Sequence, residues 1–182
     1  MKTNILFLLL LLNSTVFFAQ NDNKTVFGVK GGLNLSYVLG SELDGELTRY
    51  SGTELYVSLF SDTELNENWN LENELLFSYT DDYHFLEIPL HLKYKFEKKW
   101  AVFLGPKLDF ILDNDNDYFE SQNYRFKNFG VSLELGTQYN FNKTFFIEIR
   151  FSKGLTEQID DLVLEVLNSK RNTLRIGLGV RF

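Results

Sequence analysis

Three groups of residues have types and spacings that invite a chemical reading. Asp81, Asp82 and His84 place two carboxylates and an imidazole within one short link. Such groups suit acid–base work when a substrate is held beside them. A solvated polar link accounts for them as well, and no catalytic residue is expected. Asp113-Asn114-Asp115-Asn116-Asp117 begins like a calcium loop. It lacks the glycine at the sixth position and the glutamate at the twelfth, so the EF-hand pattern fails and an acidic surface loop is expected. His91 shares its parity with Glu87 and Lys93 and has no second histidine near it in the pattern. A hydrogen-bonded histidine fits that setting better than a metal ligand does. Neither a metal nor a cofactor is expected.

A larger set is spread along the chain. Lys30, Glu72, Glu74, Glu87, Lys93, Lys95, Lys107, Asp109, Glu134, Glu148, Arg150, Arg175 and Arg181 recur at alternate positions of otherwise apolar stretches. Carboxylates and cations in this set nearly cancel. Charges taken from water need partners, and a balanced set can supply them. The chemistry on offer is mutual neutralisation in an enclosed space.

The elements that carry these charges are strands. From Phe85 to Phe96 the even positions are Leu86, Ile88, Leu90, Leu92, Tyr94 and Phe96, while Glu87, His91, Lys93 and Lys95 fill odd ones. After Glu97-Lys98-Lys99 the even positions are again apolar: Trp100, Val102, Leu104, Leu108, Phe110 and Leu112. Period-two alternation marks a strand with two unlike faces. A three-residue connection pairs Phe96 with Trp100, so parity is kept across the hairpin. Each strand is long enough to cross a bilayer, for which about 9–11 tilted residues suffice.

Eight such strands are expected. They are Lys24 to Val38, Thr53 to Leu65, Trp69 to Thr80, Phe85 to Phe96, Trp100 to Leu112, Phe126 to Phe141, Phe145 to Ser152 and Asn172 to Phe182. The second is the least regular: Ser61 and Thr63 share a face with Leu55, Val57 and Leu59, while Tyr56 and Phe60 point to the other side. Three-residue turns at 66–68, 97–99 and 142–144 alternate with variable, mostly longer links. That asymmetry suits short periplasmic turns and longer extracellular loops, which puts both termini on the periplasmic side. Phe27, Trp69, Phe96, Trp100, Phe141, Phe145 and Phe182 gather at the short-turn end, as an interfacial aromatic girdle would.

The two ends of the chain and its composition agree. Lys2, then Ile5 to Leu12, then Ala19 read as a secretory signal peptide over residues 1–19, leaving 20–182 as the barrel. The apolar run is too short for a membrane-spanning helix, which needs about 20 residues. The chain has 182 residues, no cysteine and a formal net charge of −7. Disulfides, thiolate metal sites and a lipoprotein anchor are therefore excluded, and the acidic balance argues against a nucleic-acid partner.

Alternation does not say which face is inside. In a soluble ligand-carrying barrel the apolar face would point inward. The bulk of the aromatic and branched residues would overfill so narrow an interior. The expected architecture is therefore an all-β, eight-stranded, antiparallel up-and-down transmembrane barrel with its charges in the lumen. Pro89 and Pro106 strain that picture, because proline removes a ladder hydrogen bond and a closed barrel has no edge. They are diagonal neighbours in the hairpin, and a shared irregularity, such as a bulge, is expected there.

Leu86-Glu87-Ile88-Pro89-Leu90 with Lys93-Tyr94, and Leu104-Gly105-Pro106-Lys107-Leu108, resemble the PorT-type outer-membrane β-barrel family of the Bacteroidota. Phe27 to Asn34 is similar to its first strand, Asn73 to Ser78 to its third, and Gly154-Leu155-Thr156 to the exit of its seventh. The resemblance implies an eight-stranded porin-like barrel in the outer membrane of a Gram-negative bacterium. One member of that family takes part in type IX protein secretion, and the family carries no catalytic residues to transfer.

Within the last long loop Ile159, Leu162, Val163, Val166 and Leu167 follow helical spacing, and Thr156 stands where a cap would. A short amphipathic helix over the barrel mouth is the preferred reading. Leu162, Leu164 and Val166 also alternate, as an extended hairpin would. The function expected is that of a non-enzymatic barrel with a plugged, charge-balanced lumen, structural or surface-interacting in the envelope. A narrow porin-like pore and an accessory of a secretion machine are the alternatives. Expected partners are outer-membrane lipid, lipopolysaccharide (with weak divalent bridging to the acidic loop), the outer-membrane assembly machinery that would read the terminal Phe182, and envelope or secretion proteins.

Overall fold

The wall is made by strands whose side chains alternate between burial and exposure. A computed structural model describes residues 24–41, 47–79, 84–112, 125–126, 129–157, 159–161 and 166–182. Ten strands follow in order: β1 (Thr25–Ser41), β2 (Leu47–Glu64), β3 (Trp69–Tyr79), β4 (His84–Lys95), β5 (Trp100–Ile111), β6 (Arg125–Phe126), β7 (Phe129–Asn140), β8 (Phe145–Gly154), β9 (Ile159–Asp161) and β10 (Val166–Arg181). Eight of them pair antiparallel in the order β1-β2-β3-β4-β5-β7-β8-β10, and β10 pairs back on β1. The sheet closes into a barrel. There is no helix among the described residues.

The register fixes the stagger of that closure. Thr25 pairs with Thr63, Thr63 with Leu71, Leu71 with Leu92, and Leu92 with Leu104. The circuit continues through Leu135, Phe151 and Leu174 and returns to β1 at Leu35, ten residues beyond its start. Such a shear tilts the strands by about 35–45° and leaves room for side chains alone in an eight-stranded lumen.

The apolar face is outside. Leu55 is 63% exposed, Leu59 60% and Leu178 60%, whereas Glu72, Glu87 and His91 on the other face are 0% exposed. This excludes the inward-apolar soluble barrel. The three short turns lie at one end, and two of them use the same device. The Asn66 side-chain oxygen accepts from the Asn68 and Trp69 amides at 3.0 and 2.9 Å. The Asn142 oxygen accepts from Thr144 and Phe145 at 2.8 Å each. Asparagine closes such turns because its short amide mimics a backbone carbonyl.

Several boundaries differ from the sequence reading. The link placed at Leu39 to Gly52 is largely strand: β1 and β2 stay paired up to Ser41 and Leu47. Strand eight, expected from Asn172, begins at Val166, and its added residues pair with β1 as far as Leu167 and with β9. The described ends of the segment expected as a helix are extended, with Val166 paired to Asp161 and Ser169 to Ile159, so there the alternating pattern prevails over the helical one because a neighbouring edge supplies hydrogen bonds. The start of the sixth expected strand is a separate piece, β6, paired with β9.

No bulge occurs at the two prolines. Between β4 and β5 the ladder lapses from Pro89–Lys107 to Leu92–Leu104 and resumes in the same register. Between β3 and β4 it lapses from Asn73–Leu90 to Leu76–Glu87, again without a shift. Proline lacks the donor, so the ladder is interrupted without inserting a residue. A Cβ at Gly105 would run into the Leu90 carbonyl oxygen, which shows how closely the backbones approach there. The signal-peptide expectation at 1–19, the Asp113–Asp117 loop, Asp81 and Asp82 lie outside the described residues.

Candidate functional site

Inward parity on all eight barrel strands brings the charges together in two linked clusters. In the first, Lys30 Nζ on β1 lies 2.7 Å from Glu72, 2.9 Å from Glu74 and 3.2 Å from Glu148. Arg150 on β8 bridges Glu74 at 2.8 Å and Glu134 at 3.1 Å and also contacts Glu148. His91 is held between carboxylates, 3.3 Å from Glu72 through Nδ1 and 3.0 Å from Glu134 through Nε2. Lys93 donates to Asp62 and Gln138, both at 3.0 Å, and also to Glu72.

The second cluster is built round Glu87. It accepts from Lys107 at 2.7 Å, Arg175 at 2.8 Å, Arg171 at 3.1 Å and the Ser78 hydroxyl at 2.9 Å. Asp109 lies 3.0 Å from Lys107 and accepts from Ser132 at 2.6 Å. Glu54 accepts from Asn34 at 3.0 Å and pairs with Arg171. Arg175 donates to Asn34 at 2.6 Å and reaches Glu134 of the first cluster at 3.8 Å.

Eleven of the thirteen charges expected in the lumen belong to these clusters: Lys30, Glu72, Glu74, Glu87, Lys93, Lys107, Asp109, Glu134, Glu148, Arg150 and Arg175. The other two sit at the short-turn mouth. Lys95 pairs with Glu64 at 3.3 Å in a half-exposed contact. Arg181 donates to Asn140 at 2.8 Å and to the Lys143 carbonyl at 3.4 Å. Three buried charges escaped the sequence reading: Glu54, Asp62 and Arg171. Parity with Tyr56 and Phe60 would have turned Glu54 and Asp62 inward, and parity with Thr173 and Arg175 does the same for Arg171.

Aromatic rings fill what the charges leave. Phe60 lies opposite Gly28, Phe103 opposite Gly136, and Phe146 opposite Gly179. At each of these glycines an added Cβ would strike that ring, so the missing side chain is the room the ring uses. Cations lie on the rings as well: Arg171 is 3.8 Å from the Phe85 centroid and Arg175 is 4.8 Å from that of Tyr56.

Glu72, Glu74 and His91 bring donor atoms within 4.8 Å of one another, a spacing that could hold a metal ion. The Lys30 ammonium bonds both glutamates and supplies the positive charge an ion would bring. At the end away from the short turns His84 stacks on Phe77 at 5.8 Å between ring centroids and is tilted against Tyr79 at 4.7 Å. The residues expected in the aromatic girdle, Phe27, Trp69, Phe96, Trp100, Phe141, Phe145 and Phe182, all lie exposed at the short-turn end.

A closed antiparallel wall with an apolar exterior and buried charges inside defines a transmembrane β-barrel. The chain belongs to the outer membrane protein beta-barrel domain family, whose model matches residues 18–160. That membership places it in the outer membrane. No curated protein matches it. Among solved structures it is similar to Ail, the attachment invasion locus protein of Yersinia pestis, in complex with the heparin analogue sucrose octasulfate. The identity is 14% and the TM-score 0.54, over 87% of this chain and 99% of that one. Neisserial surface protein A is 13% identical with a TM-score of 0.49, covering 86% of this chain and 97% of its own. OprG from Pseudomonas aeruginosa is 16% identical with a TM-score of 0.48, covering 90% and 98%. At these identities the likeness is one of fold.

Proposed function

We propose that this chain is a plugged, non-enzymatic barrel that acts as a structural and surface-interacting protein of the outer membrane. The observation that carries the reading is the filled lumen. Carboxylates and cations from all eight strands are paired across it, and rings occupy the remaining space. An eight-stranded barrel packed in this way leaves no aqueous path, whereas barrels with open channels have about 16–18 strands.

The far end supports a surface role. β2 pairs with β1 from Leu47 onward but with β3 only from Leu55. β10 likewise continues past its last pair with β8, at Asn172, and carries β9 and β6. A partial sheet, β2-β1-β10-β9-β6, thus rises above the rim on one side of the barrel. Among the described residues, the upper part of β2 has no partner on its other side, and such an edge can accept a strand from another chain. In this reading the short turns and both termini are periplasmic and the raised sheet is extracellular. That one structural relative is an attachment protein solved with a sulfated heparin analogue is in keeping with it.

At a finer level we place the chain with the PorT-type barrels on its Glu-Ile-Pro and Gly-Pro motifs, which makes accessory service to a secretion machine the second reading. Planar-bilayer recording and liposome swelling test the plug: negligible conductance and no sugar uptake are expected. Steady sugar-permeable channels would replace it with the narrow pore. Pull-down from outer membranes separates the remaining roles, since a secretion accessory brings its machine and a lone barrel does not.

A further inference from the structure

The short-turn end holds a cavity of about 430 Å³ that the lumen charges do not fill. Its upper wall includes Asp62, Lys93 and Gln138, members of the first cluster, and Asn140. Asn140 is already engaged, accepting from Gln138 at 2.8 Å and from Arg181 at 2.8 Å. The cavity is therefore a cup, closed toward the lumen and open toward the turns.

Its charge is one-sided. Lys93, Lys95, Lys98, Lys99, Lys143 and Arg181 line it against only Asp62 and Glu64. Glu67 and Glu97 belong to the same set of turns but are not among its lining. Lys93 and Lys95 are matched by those two acids at 3.0 and 3.3 Å. Arg181 hydrogen-bonds two neutral acceptors, the Asn140 amide and the Lys143 carbonyl, and lies over the Phe146 ring. Lys98, Lys99 and Lys143 come from two different turns and make no ion pair among the described residues; Lys99 lies 5.8 Å from the Tyr139 ring centre. The cup thus holds four cations beyond its acids. Concave walls of low dielectric concentrate such a potential. A single carboxylate would neutralise only part of it. A phosphate group carries up to two charges and several acceptor oxygens, and suits a guanidinium flanked by ammonium groups.

We propose that this cup binds a phosphate-bearing anion presented from the short-turn side. The proposal goes beyond the plugged-barrel reading and does not depend on which way the barrel faces. Two sources offer the same chemistry, a free phosphorylated solute and the headgroup of an anionic phospholipid.

Titration calorimetry of the purified full-length barrel in zwitterionic micelles, with inorganic pyrophosphate at fixed ionic strength, tests it. Saturable binding is expected, weakened about fivefold to tenfold in K98Q/K143Q and unchanged in K170Q, whose lysine lies toward the opposite end. Lys98 and Lys143 are exposed turn residues, so that variant keeps the fold, which circular dichroism checks. Repeating the titration in nanodiscs separates the sources. Binding lost with phosphatidylglycerol but kept with phosphatidylcholine assigns the cup to a lipid headgroup, while binding kept in both assigns it to a solute. No saturable binding in phosphatidylcholine or in micelles, or equal weakening in K170Q and K98Q/K143Q, would overturn the proposal.

Discussion

Lys30 lies in the lumen with three carboxylates within 3.2 Å, whereas Lys143, in the turn between β7 and β8, borders an open cup whose acids are engaged by other lysines. Both are ammonium groups on the same barrel. The first has lost its water and is held by geometry, so its partners are part of the fold. The second keeps its water and owes the fold almost nothing. The difference teaches that charge in this protein is structural where it is enclosed and available where it is not.

Breaking the enclosed side should give the largest effect. Lys30→Met or Arg150→Met leaves glutamates uncompensated and should cost about 3–5 kcal/mol in urea unfolding from lipid vesicles. Adding Glu134→Gln to Arg150→Met should return only part of that loss, because Arg150 also faces Glu74 and Glu148. A cost below about 1 kcal/mol would mean that water already reaches these carboxylates.

Next in size comes the outer face, which must stay free of charge. Arg at Leu90, Leu104 or Leu133 should cost about 2–4 kcal/mol in the same assay. Tolerance at all three would mean that these positions do not meet lipid.

The wall between the two faces is tested by glycine. Gly105→Ala forces a methyl onto the Leu90 carbonyl and should cost about 1–3 kcal/mol. Gly31→Ala meets its nearest neighbour, the Tyr56 carbonyl, at 3.4 Å and should stay within about 0.5 kcal/mol. Equal costs would remove the close approach at the prolines as the cause. Smallest of all, Lys143→Gln should shift stability by less than about 0.5 kcal/mol while changing the anion titration.

Parity makes most of the barrel legible in the sequence. Where aromatic and charged residues alternate cleanly, as from Phe85 to Leu112, strand, face and hairpin register all follow from the pattern. Legibility failed on β2, where inward Tyr56 and Phe60 sit beside outward Ser61 and Thr63, and with it Glu54 and Asp62 were missed. Arg171 is not legible because its outward neighbours Lys170 and Asn172 are polar, which breaks the alternation there. Helical and extended spacings coexist from Ile159 to Leu167, and at Ile159, Asp161 and Val166 it is pairing between β9 and β10 that decides for the extended form. The pairings themselves, such as Lys30 with Glu148 or Glu87 with Arg175, depend on how the sheet closes, which no local pattern encodes.

The seam between β1 and β10, which runs from Gly28–Arg181 to Ser41–Leu167, joins the two ends of the described chain. Contacts this remote in sequence carry the greatest loop-closure entropy, so they are slow to form. Before they do, the sheet has two open edges, and Lys30, Arg171 and Arg175 lie far from Glu148, Glu54 and Asn34. Part of the neutralisation of the lumen therefore waits for the wall to shut. A half-built sheet entering the bilayer would carry bare charge along its exposed edges, and that cost favours intermediates kept in water or in the hands of a chaperone until the last strand is in place. A plug built from such pairs would penalise an incomplete barrel during its assembly.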